Sequence, residues 1–239
     1  SERMHIRIGG SFNYDNDKIL FNGNRVVQAI RGGHLKLKLT NRLSEKIKIN
    51  YGVEYLNNSF SQIYQDQKDS IGVDYQNNTY AAFVEGDLYT SSKFVMRIGV
   101  RTSYADHINK FNVAPRVSMA YKFNKETQLS LAYGMFYQNP KDEYLLYTQD
   151  LKQERADHYM LNFQFDKKGR NIRAEVYYKD YRNLVKITDD KFYLPSAYNQ
   201  KGKGYDYGLD LFYRDKKSIK NGDFWVSYSY INSKRDFRD

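Results

Sequence analysis

The sequence predicts an all-β chain: about eleven strands of an antiparallel, up-and-down transmembrane β-barrel, one part of a larger barrel. Three observations carry this. Apolar and polar residues alternate with period two along most of the 239 residues, the signature of strands with one apolar face. The connections between these segments alternate between short and long. Tyrosine and phenylalanine, 24 and 14 residues, gather near segment ends, where a membrane barrel places its interfacial girdles.

The segments follow in order. In Met4–Tyr14 the even positions are Met, Ile, Ile, Gly, Phe and Tyr, and the odd ones are polar or small. Leu35–Thr40, Ile47–Leu56 and Tyr80–Tyr89 come next, the last with Phe83 and Val84 both competing for the apolar face. In Phe94–Tyr104 one face is Phe94, Met96, Ile98, Val100, Thr102 and Tyr104, opposed by Arg97, Gly99, Arg101 and Ser103. Arg116–Phe123, Gln128–Gln138, Tyr159–Phe165, Ile172–Tyr181, Tyr205–Arg214 and Phe224–Asn232 complete the set. Several run to about 11 residues, the length a tilted strand needs to cross a bilayer.

The connections Asn41–Lys46, Thr90–Lys93, Asn124–Thr127, Asp166–Arg170 and Asp215–Gly222 are short and polar. Asp15–Val26, Asn57–Thr79, Ala105–Ala114, Asn139–Asp157 and Arg182–Gly204 are long. In a meander, alternate connections lie at opposite ends, so one end is trimmed and the other elaborated, as in outer-membrane barrels. Pro115, Pro140 and Pro195 all fall in long connections or at a strand start, where no ladder bond is lost. The girdle is expected at Tyr14, Phe94, Tyr104, Phe123, Tyr137, Tyr181, Tyr205, Tyr213, Phe224 and Tyr230. No apolar run approaches the ~18 residues of a membrane helix. Bacterial single-chain barrels have even strand numbers, so eleven strands are expected to be part of a larger sheet.

The middle of the chain resembles a known family. Gly99-Val100-Arg101 is followed by Pro115-Arg116, Tyr121-Lys122, Leu129 and Tyr133-Gly134-Met135-Phe136-Tyr137-Gln138-Asn139-Pro140. Then come Leu151, Glu154-Arg155-Ala156, His158-Tyr159, Glu175, Tyr177-Tyr178-Lys179-Asp180-Tyr181 and Asn183-Leu184. Tyr198-Asn199, Gly204 and Tyr207-Gly208-Leu209-Asp210 close the series, Asp210 standing where glutamate is commoner. In order and spacing these pieces, within Tyr80–Asn232, resemble the barrel of TonB-dependent outer-membrane receptors. The resemblance implies a barrel of about 22 strands, energised import of a scarce ligand (siderophore, glycan, peptide or cobalamin), and residence in the bacterial outer membrane. Its implied partners are outer-membrane lipid, a plug domain and a TonB-type coupling protein. Plug and coupling segment are expected to lie outside this chain, making residues 1–239 one partial barrel domain. A passive porin and a soluble β-rich glycan-binding module are the rival readings.

Candidate chemistry concentrates in two groups. Lys36, Lys38, Arg97, Arg101, Arg173 and Glu175 alternate with apolar neighbours and are expected to line the lumen or grip the plug. Tyr64, Tyr75, Tyr144, Tyr147, Phe192, Tyr193 and Tyr198 lie in or beside the long connections. They are candidate ligand contacts, as exposed aromatics beside polar side chains, or they fold back on neighbouring loops. Catalysis is not expected. Asp157 and His158 are strand neighbours and point to opposite faces, and Asp106-His107 has no nucleophile placed beside it. Asp15-Asn16-Asp17 lacks the glycine and terminal glutamate of a calcium loop, and Asp189-Asp190 is a solvated tip. No metal or cofactor is called for. The formal charge of +10 invites nucleic acid, but Lys36-Leu37-Lys38 and Lys46-Ile47-Lys48 alternate their charges onto one sheet face, so no nucleic-acid partner is expected.

Overall fold

In the computed structural model, residues 4–21, 23–66, 68–188 and 194–238 are described. They form one antiparallel sheet whose strand order follows the chain from β1 to β11. The strands are β1 (Met4–Phe21), β2 (Asn24–Arg42), β3 (Ile47–Gln65), β4 (Ser70–Tyr89), β5 (Phe94–Ala105) and β6 (Lys110–Lys122). They continue as β7 (Thr127–Gln138), β8 (Glu154–Lys167), β9 (Arg170–Ile187), β10 (Tyr198–Asp215) and β11 (Phe224–Arg235), with one short helix, α1 (Asp142–Leu145), between β7 and β8. Each expected segment falls on one of these strands, Arg116–Phe123 overrunning the end of β6 by one residue.

Four of the long connections are a correction. Ala105–Ala114 shrinks to a four-residue turn because β6 begins at Lys110. Most of Asp15–Val26, Asn57–Thr79 and Arg182–Gly204 is strand, because β1 to β4 run to 18–20 residues and β9 and β10 to 18. At ~3.3 Å per residue such strands extend far past a bilayer. Where both faces are wet, the hydropathy alternation fades while the backbone ladder continues, as in Asn57-Asn58-Ser59 against Gln76-Asn77-Asn78. Polarity without period looks like a loop in the sequence. The β7–β8 connection, residues 139–153, remains long.

The two faces separate cleanly. On the apolar face, directly paired Tyr55, Tyr80, Tyr104 and Phe111 form an aromatic row across β3 to β6. Tyr133, Tyr159, Tyr178 and Tyr207 continue it over β7 to β10. Phe94 and Tyr121 pair near the short-turn end. Ten residues separate Phe94 from Tyr104 along β5, about 33 Å of strand, which a barrel tilt reduces to roughly the 25 Å of an apolar band. Between the rows Ile98 and Val176 stand half exposed, as lipid-facing side chains do. The register also settles Tyr80–Tyr89: Val84 pairs with Val100 on the apolar face, and Phe83 pairs with Gly52 and Arg101 on the polar one. Tyr181 leaves the girdle, because its parity places it on the polar face, where its hydroxyl donates to Asp206 at 2.6 Å.

Pro115 lies within β6 rather than at its start. It pairs with Val100 of β5, while the β6–β7 ladder stops at Arg116–Gly134. Proline is accommodated where β6 has already lost its second neighbour.

Candidate functional site

The polar face is organised around acids. Glu54, its side chain 8% exposed, accepts Lys36 Nζ at 2.5 Å and Arg101 Nη2 at 2.8 Å. Asp87 accepts Arg97 Nε at 2.5 Å and Lys48 Nζ at 2.9 Å. The register puts Lys36 opposite Glu54, and Arg97 opposite Asp87, so strand pairing alone delivers each charge to its partner. Carboxylates so shielded from water hold their charge only with such partners. Glu175 accepts Asn162 Nδ2 at 3.1 Å. Lys38 faces Gly52, and Arg173 faces Gln164 and Phe212. All six charged candidates therefore share one face. Glu54 and Asp87, the acids that order four of the basic side chains, are additions of the structure. Their polar positions inside apolar alternation (Val53-Glu54-Tyr55, Gly86-Asp87-Leu88) were the signal available.

At the loop end the β7–β8 connection folds back over the strands. Leu145 and Leu151 of this connection bury against Phe60, Ile108 and Val185. Asp142 Oδ1 accepts the Tyr75 hydroxyl and, at 3.2 Å, Asn58 Nδ2. Tyr75 stacks on His107, ring centroids 4.4 Å apart. Burial, and then the hydrogen bond to Asp142, push the Tyr75 phenol well above its ordinary range. Tyr198 lies 5.5 Å from Tyr144 and 6.5 Å from Tyr147, nearly parallel to the latter. Burial, then these two neighbours, push its phenol up to about 12.

Of the aromatic candidates, Tyr75, Tyr144, Tyr147 and Tyr198 are thus brought together as packing for this connection, and Tyr75 and Tyr144 are buried. Tyr64 stands apart near the end of β3, 38% exposed. Tyr64, Tyr75 and Tyr198 belong to strands rather than loops. Phe192 and Tyr193 lie outside the described residues, as do Asp189 and Asp190. Asp142, Asn58 and His107, which hold the connection down, carried no pattern in the sequence.

The acid–histidine pairs have structural work. Asp106 accepts the Asn78 backbone N–H at 2.6 Å and Asn78 Nδ2 at 2.7 Å. Asp157 accepts Arg155 Nη2 at 2.8 Å on one face, and His158 stacks on Phe136 on the other. Asp15-Asn16-Asp17 is strand, its side chains alternating between faces. Among the described residues no three His, Asp or Glu side chains gather as a metal cage.

With this geometry in hand, likeness to known proteins can be weighed. Residues 5–239 match the family model described as TonB dependent receptor-like, beta-barrel. No curated protein sequence matches the chain. Among solved structures, the siderophore receptor PiuA from Acinetobacter baumannii superposes with a TM-score of 0.78 at 11% identity, over 99% of this chain and 46% of that one. The ferric yersiniabactin uptake receptor FyuA from Yersinia pestis gives 0.74 at 13% identity, over 97% and 40%. The outer membrane transporter YddB from Escherichia coli gives 0.71 at 16%, over 88% and 34%. At these identities the likeness is one of fold, and the chain spans less than half of each receptor. It matches a receptor family, not an enzyme family. The chain belongs to the TonB-dependent receptor β-barrel family and forms the barrel portion of a receptor of the bacterial outer membrane.

Proposed function

We propose that residues 1–239 are a partial barrel domain of an importer that draws a scarce ligand across the outer membrane with energy supplied through a TonB-type protein. The polar face carries this reading. Lys36, Arg101, Arg97 and Lys48, fixed on Glu54 and Asp87, make a charged, hydrated wall, while the opposite apolar face, on which a soluble sheet would pack a second layer, leaves Ile98 and Val176 half exposed. Lys38, Arg173 and Glu175 extend that wall, which lines the passage or meets the plug. Outer-membrane lipid covers the opposite face between its aromatic rows. The plug and the coupling segment belong to other parts of the parent protein. Ferric siderophores are the first ligands to test, since PiuA is by name a siderophore receptor and FyuA an uptake receptor for a ferric ligand. Glycans, peptides and cobalamin follow.

The test is uptake by cells making the full-length parent, against cells lacking it, with labelled members of these four classes. Receptor-dependent uptake that a protonophore abolishes is the expected result. Receptor-dependent uptake indifferent to the protonophore overturns energised import and favours the passive porin. A parent protein found in the soluble fraction, with no heat-dependent gel shift, overturns the membrane reading itself.

A further inference from the structure

Three rings on the polar face share one arrangement. Phe83 lies against Gly52, Phe136 against Gly134 and Tyr177 against Gly208, each so near that a Cβ on the glycine would press into the ring. Each ring also carries a cation. Lys36 Nζ lies 5.2 Å from the Phe83 centroid, the Arg116 guanidinium 4.6 Å from Phe136, and Lys179 Nζ 5.2 Å from Tyr177. Missing glycine side chains let the rings hug the wall, and the rings hold the cations by cation–π attraction.

The three differ in what neutralises the charge. Lys36 has Glu54 at 2.5 Å. Arg116 has no such partner among the described residues: its Nε–H is buried and finds no acceptor. A buried donor left unmatched is costly, more so when charged, so the site gains by taking in an acceptor. Its register row carries both signs: Glu85, across Gly99 from Arg116, and Asp206, opposite Lys179, stand at its two ends. Arg116, Gly134, His158 and Lys179 oppose one another in a single row across β6 to β9. His158 stacks on Phe136 with centroids 4.5 Å apart, so Phe136 bridges the guanidinium and the imidazole. The β6–β7 ladder ends at this point. Two cavities, about 210 and 520 Å³, both reach Phe136 and His158, and Arg116 lines the smaller together with Arg97 and Glu85.

We propose that the Arg116–Phe136–His158 stack is a subsite for the carboxylate of a small ligand. The guanidinium fork takes the carboxylate, the geometry it matches best, and the aromatic wall takes the flat apolar part beside it. This deepens the transport reading and rests on it, naming an anionic ligand where the family leaves the class open.

The probe is benzoate, with benzamide as its neutral counterpart, added to the full-length receptor in detergent and followed by calorimetry. Benzoate is expected to bind and benzamide not. Arg116→Gln weakens benzoate binding about tenfold or more, as loss of a charge-assisted pair implies. Lys220→Gln, in the turn before β11, leaves it unchanged. If Arg116→Gln yields no heat-shifting, folded barrel, Arg116→Lys replaces it; keeping charge without the fork, it weakens binding severalfold. Equal benzoate affinity in wild type and variant overturns the subsite. So does a wild-type receptor that takes no benzoate, the result given by a site already filled by an acidic side chain of the same protein. Protonophore-sensitive uptake fails or succeeds without reference to benzoate, so the two readings fall separately.

Discussion

The two ends of the sheet are held by different kinds of contact. At the short-turn end each connection is tied by groups a few residues apart, and longer links such as Arg170 Nε to Asp215 at 3.0 Å join only neighbouring strands. Ser91 Oγ accepts Lys93 N at 3.2 Å and Phe94 N at 3.0 Å, and Asn124 Oδ1 accepts Glu126 N at 2.9 Å and Thr127 N at 2.8 Å. The β8–β9 hairpin turns through Lys168 and Gly169, both at positive φ (44° and 89°), as a two-residue hairpin with the right twist requires. At the loop end the contacts join residues far apart: Asn58 with Asp142, 84 positions away, Tyr75 with Asp142, 67 away, and His107 with the Leu145 carbonyl, 38 away. The turn end forms as each hairpin closes. The loop end requires the whole sheet first, so it is the end able to open without unravelling a strand.

The largest expected effect follows from Phe60, buried to 2% beneath the β7–β8 connection. Phe60→Ala removes a core ring, a change worth about 3–5 kcal/mol. Because Phe60 lies beyond the aromatic row, that loss falls on the docking of residues 139–153. Tryptic cleavage at Lys141 or Lys152 is expected to accelerate by a hundredfold or so, if opening is in fast equilibrium, with heat-dependent gel mobility retained. Equal resistance to trypsin in wild type and variant would show that the connection is held by something else. Asp142→Ala acts on the same readout but less, about 1–3 kcal/mol, since it leaves the Tyr75 hydroxyl buried without its acceptor while the apolar packing stays.

The same distinction governs what was legible in the sequence. The membrane-crossing parts of all eleven strands showed in alternation such as Phe94, Met96, Ile98, Val100, because lipid on one side and water on the other impose opposite demands on neighbours. The turns showed in Asn124 and Gly169. Lys36 and Arg101 could be placed on one face by parity, whereas their meeting at Glu54 depends on cross-strand register, which alternation does not give. The strand extensions were invisible for want of an apolar face. The roles of Asp142, Asn58 and His107 depend on where a connection lands after the sheet has formed, and no local spacing encodes that. Tyr75 and Tyr144 stayed open to two readings, ligand contact or fold-back packing, for the same reason: a tyrosine beside a long connection has one composition whether it faces solvent or supports the fold-back.

At the turn end single changes are expected to be smaller. Asn124→Ala deletes the acceptor of two backbone N–H groups, and Gly169→Ala forces a side chain into positive φ. Each is worth about 1 kcal/mol. A lower urea midpoint for the folded band checks them, with trypsin cleavage of residues 139–153 unchanged. If Asn124→Ala opened that connection as Phe60→Ala does, the two ends would not be independent, since distant sites without shared partners add.

The smallest effect comes from two turns of matching geometry at opposite ends. Asp66 Oδ1 accepts Lys68 N and Asp69 N, both at 2.7 Å, just as Asn124 Oδ1 accepts the N–H groups two and three residues on. Only Asp66 titrates. The Asp69 N–H, and then the Lys68 N–H, hold its carboxyl below the ordinary aspartate range. A depressed folded value means that the carboxylate's contribution is fully present above the unfolded pKa, about 3.9, and is lost as pH falls through the folded one. The group is exposed, so solvent screens most of this, and the hairpin tip rather than the barrel should register it. Amide protection factors at Lys68 and Asp69 are expected to fall between pH 6 and pH 2, while those at Glu126 and Thr127 stay flat. Asp66→Asn should abolish the pH dependence and keep the turn. A fall of equal size at both turns would place its origin in the sheet as a whole and not in the Asp66 carboxylate.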